Sequence, residues 1–169
     1  PGWVEAYLKR LREEAQRLYE IHPEPLKTLY LGGGTPSFLR DRELIALFQA
    51  LPWKREADAE VTLEANPGTL NRERMALLRD LGVNRLSLGV QSFQEAVLRF
   101  LGRAHGRRGA LKAVEMALEG GFRVSLDLIL GLPMQEVEKD LEEAASLGVG
   151  HVSAYTLQVE KGTPSPFRA

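Results

Sequence analysis

The 169-residue sequence contains no cysteine. That excludes disulfides and any thiolate-held metal among these residues. Charge imbalance is also missing: 22 Lys and Arg against 23 Asp and Glu leave a formal net charge of −1. Neither nucleic acid nor an anionic membrane is therefore expected as a partner. No apolar run approaches the ~18 residues of a membrane span, and nothing at the start reads as a signal peptide. A cytoplasmic location is the expectation. An initiating methionine is absent too; the chain opens Pro1-Gly2-Trp3, within three residues of a helical pattern, as a piece of a longer protein would.

Apolar residues make up 44% of the chain, enough for one core. With no low-complexity linker, residues 1–169 are expected to form one domain. Val4, Leu8, Leu11, Ala15 and Leu18 recur at the spacing of one helix face before Pro23 and Pro25. Strand-like segments rich in Val, Leu, Ile, Thr or Tyr then start at 28, 60, 85, 123 and 151, so 32, 25, 38 and 28 residues apart. The segments run over 28–31, 60–65, 85–90, 123–130 and 151–157.

Helical patterns fill the gaps. Asp41 suits an N-cap for a helix turning Leu44, Ile45, Leu47, Phe48 and Leu51 inward, and Asn71 one for Met75, Leu78 and Leu81, ended by Gly82. The third gap holds two pieces, 93–101 and 109–119, with a loop from Gly102 to Arg108 between them; a last helix covers 135–146. Strand-to-strand spacings of this length are β-α units, too long for hairpins, so the sheet is expected to be parallel. An α/β doubly wound sheet and a (β/α) barrel, whole or partial, both fit; five strands cannot close an eight-stranded barrel.

Leu29-Tyr30-Leu31 passes directly into Gly32-Gly33-Gly34-Thr35-Pro36. Three glycines remove every Cβ where a strand ends, allowing a small ligand close to the backbone. A tight turn without a ligand is the alternative. Pro36 is expected to push Thr35 into extended geometry. The loop lacks the Lys-Ser/Thr pair of a P-loop and the GxGxxG spacing of a dinucleotide site.

In either architecture ligands bind outside the carboxyl ends of the strands. Those ends carry Gly32 to Thr35, Glu64 and Asn66, Gln91 and Ser92, Asp127 with Gly131-Leu132-Pro133, and Thr156 with Gln158. Glu64 reads as functional, with Arg103 as its natural cation; Asn66-Pro67-Gly68 also reads as turn chemistry, and Asp127 as a buried acid. His22, His105 and His151 have neither metal-ligand spacing nor a triad partner and read as structural.

LGGGTPSF at 31–38, EANPGT at 64–69, GVNRLSLGVQSF at 82–93, LGRAHG at 101–106 and LDLILGLP at 126–133 together resemble the radical S-adenosylmethionine proteins related to oxygen-independent coproporphyrinogen III oxidase. The chain looks most similar to the HemW-like branch, regarded as heme chaperones, and the resemblance extends to HVSAYTLQVEKGTP at 151–164. It implies a partial, roughly six-stranded (β/α) barrel with S-adenosylmethionine and a 4Fe-4S cluster at the strand carboxyl ends. Gly33, Gly34 and Thr35 match the segment that holds the methionine amino group. Glu64, Gln91 and Asp127 match polar contacts to the rest of the cofactor, Arg103 the partner of its carboxylate, and Gln158 a contact by position only.

The family's CxxxCxxC loop follows the first barrel strand, and neither is in this sequence. Without those thiolates no cluster, no reductive cleavage and at best weak cofactor binding are expected of this chain. The following strand is expected to be a sticky or mobile sheet edge. Heme or porphyrin, an electron donor and heme-accepting proteins are the partners implied. Three functions remain open: a HemW-like heme chaperone, the oxidase itself, and a non-radical barrel enzyme whose glycine loop binds phosphate.

Overall fold

The computed structural model describes residues 2–132 and 134–158. Pro1, Pro133 and the stretch after Gln158, including the end of HVSAYTLQVEKGTP, lie outside the described residues. Helix α1 (Gly2–Ile21) leads into β1 (Leu26–Leu31), α2 (Asp41–Gln49), β2 (Arg55–Ala65), α3 (Arg72–Asp80) and β3 (Arg85–Gln91). Then come α4 (Glu95–Phe100), α5 (Gly106–Glu119), β4 (Arg123–Leu130), α6 (Val137–Ser146) and β5 (His151–Thr156).

All neighbouring strands pair parallel, in the order β1-β2-β3-β4-β5. A doubly wound sheet needs a reversal of strand order, and there is none. Right-handed crossovers taken in sequence put the helices on one face and curl the sheet into a half-barrel. The core bears this out: Leu63, Leu86, Leu88, Leu126 and Leu128 from the strands pack with Leu44 and Phe48 of α2, Met75 and Leu78 of α3, Val114 of α5 and Ala144 of α6.

Local boundaries follow hydrogen bonds that periodicity does not reveal. Helix α2 has Arg40, not Asp41, at its N-cap, because Glu43 reaches back to accept the Arg40 N–H at 2.8 Å. Asn71 does cap α3, accepting from the Arg74 N–H at 2.7 Å, and Gly82 ends it at φ +89°. Helix α5 takes in Arg107 and Arg108, expected in a loop, since Glu95 accepts the Arg107 N–H at 2.7 Å. The core stripe of α1 stops at Ala15: Leu18 is 47% exposed, and the last turn is held instead by Tyr19 edge-on to Trp53. Strand β2 begins five residues earlier than expected, with a register shift against β1 between Leu26 and Thr28.

Candidate functional site

Alternation along the strands separates two faces. Residues such as Val61, Leu63, Leu86, Leu88, Val124, Leu126 and Leu128 point to the helices and are buried. The alternate residues point inward and are polar. Cα partners in a parallel sheet share a face, and Glu64 pairs with Ser87, Ser87 with Ser125, and Asp127 with Ser153. Together with Tyr30, Arg85, Gln91, Tyr155 and Gln158 they line a cavity of about 680 Å³ open to the strand ends. A polar inner face of this kind is not what core packing selects, and it offers hydrogen-bonding groups to a ligand.

Glu64 is the hinge between the barrel interior and the glycine loop. Its Oε1 accepts from the Tyr30 hydroxyl at 2.8 Å and its Oε2 from the Gly33 N–H at 2.9 Å. Those two donors, rather than Arg103, are its partners. Desolvation of the phenol, then the hydrogen bond and charge of Glu64, push Tyr30 up to about 12, so it stays a donor throughout the physiological range; the rest of the residue is 56% exposed. Asp127 accepts from Ser87 Oγ at 3.1 Å. Burial raises its pKa, the Ser87 hydrogen bond opposes that, Glu64 adds to it, and Arg85 and His151 oppose it again.

The three glycines are not equivalent. A Cβ on Gly32 would stand 2.6 Å from the Tyr30 ring and 2.7 Å from Glu64 Oε1. Gly33 has φ +102°, a conformation that L side chains rarely adopt. Gly34 has neither constraint, and a Cβ there would meet nothing within 4 Å. Thr35 corrects an expectation. It is left-handed, at φ 59° and ψ 79°, not extended, because the chain must turn at once into the 3-10 turn Pro36–Phe38, where the Phe38 N–H bonds Thr35 O at 3.0 Å.

The remaining rim residues divide. Gln91 lines the cavity and has φ 71°, and Gln158 lines it too. Ser92 turns away: its hydroxyl donates to Asp140 Oδ2 at 2.7 Å, while the Phe93 N–H donates to Oδ1 at 2.8 Å. Asn66 serves its own turn, accepting the Gly68 N–H at 2.9 Å. Arg103 lies on the loop between α4 and α5, half-buried and outside the set lining the cavity. His105 sits near Val90 O at 3.3 Å, and burial lowers its pKa, consistent with a structural role.

Sequence reasoning missed Tyr30, Arg85, Ser125, Ser153 and Tyr155. The signal was there, as every second residue of Arg85-x-Ser87-x-Gly89-x-Gln91 and Arg123-x-Ser125-x-Asp127. Among the described residues no group of three or more His, Asp or Glu side chains is placed to hold a metal ion. Ligands for an iron-sulfur cluster are thus not among these side chains, whereas the open, polar cavity lined by Glu64, which bonds the Gly33 N–H, suits a small polar cofactor.

A family model described as the Radical SAM superfamily matches residues 1–148. The heme chaperone HemW of Lactococcus lactis is 40% identical over 166 residues, which is 95% of this chain and 43% of that protein. HemW of Escherichia coli is 43% identical over 144 residues, 82% of this chain and 38% of that one. The chain therefore spans about two fifths of the length of the curated relatives it matches. Among solved structures, coproporphyrinogen III oxidase (HemN) from Escherichia coli superposes with a TM-score of 0.83 at 30% identity, over 92% of this chain and 37% of that one. With parallel strands wound in sequence, polar residues gathered inside the curl and a family match over most of its length, this chain belongs to the radical SAM superfamily.

Proposed function

We propose that this chain is the barrel core of a HemW-type heme chaperone, which binds heme and passes it to acceptor proteins. The observation that carries the reading is its similarity to HemW proteins, which are 31–43% identical and run through the curated relatives, beside 30% for the oxidase HemN. S-adenosylmethionine lies across the strand ends in this reading. Gly33, Gly34 and Thr35 hold its amino end by their backbone, Glu64, Gln91, Asp127 and Gln158 meet its polar groups, and Arg103 pairs with its carboxylate. When bound, with a cluster and an electron donor, the cofactor supplies one-electron chemistry.

The chain's own residues orient it. Glu64, fixed by Tyr30 and the Gly33 N–H, sets its carboxyl group beside the loop. The same contact argues against a phosphate site, since the Gly33 amide that would cradle an anion is already bonded to a carboxylate. The oxidase remains the second reading, favoured by the fold likeness to HemN. Heme titration against coproporphyrinogen turnover, measured on the complete protein with reconstituted cluster, separates the two. Heme binding without turnover is expected; turnover would replace the chaperone reading with the oxidase.

A further inference from the structure

Among the described residues every charged group of the inner face has a near polar contact, and Arg85 has the weakest. Glu64 is bonded to Tyr30 and Gly33, Asp127 to Ser87, Arg123 lies 3.4 Å from Glu60, and His151 Nε2 lies 3.1 Å from Ser153 Oγ. Arg85, half-buried at the start of β3, has only Thr62 Oγ1 at 3.4 Å. Among the described residues it has no carboxylate within 4.0 Å, and the donors of its guanidinium that Thr62 does not meet are open to the cavities it lines.

Its place gives those open donors a direction. Arg85 pairs by Cα with Thr62 and Arg123 at the floor of the half-barrel, and it lines both the inner cavity and a lower hollow of about 580 Å³ shared with Glu60, Arg123 and His151. The acids Glu64 and Asp127 stand above it. Gln91, at the rim, is six residues further along β3, so about 20 Å away at ~3.3 Å per residue.

We infer that Arg85 anchors a carboxylate of the molecule that enters the barrel. A planar guanidinium fork matches a carboxylate in two parallel hydrogen bonds, which a point charge does not. In the reading proposed above the cofactor's own carboxylate is met by Arg103, so the carboxylate at Arg85 belongs to the second ligand. On the heme reading proposed above, on which only the ligand's identity rests, it is a propionate.

The test uses the complete protein and three probes: hemin, hemin dimethyl ester and glutarate. Wild-type protein is expected to bind hemin at least tenfold more tightly than the ester. Arg85→Ala should weaken hemin at least tenfold, while leaving the ester and S-adenosylmethionine unchanged. Glutarate should shift the Arg85 Nε resonance of nitrogen-15-labelled wild-type protein, a readout that needs no variant to fold. Absence of hemin and ester binding alongside a glutarate shift would remove the heme reading and support the carboxylate site. Loss of S-adenosylmethionine binding in Arg85→Ala, equal weakening of hemin and ester, or no glutarate shift would each overturn the inference.

Discussion

Gly32 and Gly33 separate two kinds of glycine requirement within one loop, steric and conformational. Gly32→Ala forces a Cβ into Tyr30 and Glu64 and should cost about 1–3 kcal/mol by overpacking. Gly33→Ala leaves the space free but strains a backbone at φ +102°, at a cost of similar size. Tyr30→Phe removes only a hydroxyl donor; about 1 kcal/mol, or roughly 3 °C in Tm, is expected by thermal unfolding. Asp127 gives a pH signature. Its pKa is raised in the folded protein, so the native state binds the proton more tightly than the unfolded chain and stability falls as pH rises through that raised value. Asp127→Asn should therefore raise Tm at pH 7, with the gain disappearing below the ordinary carboxylate pKa; Tm measured across pH checks it. An equal gain at all pH values would mean that packing, not ionisation, is responsible.

At the scale of elements, one buried side chain ties the rim together. Asp140, near the start of α6 and fully buried, accepts from Ser92 Oγ, the Phe93 N–H and Gln135 Nε2 at 2.7–2.8 Å. Gln135 in turn donates to Ile129 O at 2.8 Å. The loops after β3 and β4 are thus fastened to α6, and Gln91 at φ 71° is the residue before the fastened segment. Asp140→Ala strands two buried donors, the Ser92 hydroxyl and the Phe93 N–H, and should cost about 3 kcal/mol, roughly 9 °C in Tm, with Asp140→Asn costing less. Strand β1 pairs with β2 alone among the described residues, so its amides should exchange with solvent faster than those of β3, which is paired on both sides. Equal protection would show the edge to be covered.

At the scale of the whole molecule, spacing alone was enough to foresee five parallel strands, because β-α units of 25–38 residues leave no room for hairpins. That the polar cavity takes in the carboxyl ends of the strands followed from the same rule. What spacing does not carry is pairing. Asp140 lies 48 residues from Ser92 and looks like an ordinary acid in the first turn of a helix. Tyr30 lies 34 residues from Glu64, so Arg103, the nearest loose cation in the rim motifs, stood in for it. Thr35 was misread because the rule for residues before proline describes the average chain, and here the 3-10 turn that follows dictates the geometry.

The central claim is that the space beside the glycine loop belongs to S-adenosylmethionine. Gly34 tests it most directly, since a Cβ there meets no protein atom within 4 Å. Calorimetric titration of S-adenosylmethionine into the complete, cluster-reconstituted protein and its Gly34→Leu variant should give at least a tenfold weaker Kd, about 1.4 kcal/mol, with Tm unchanged. Equal affinity in the two proteins would contradict the account.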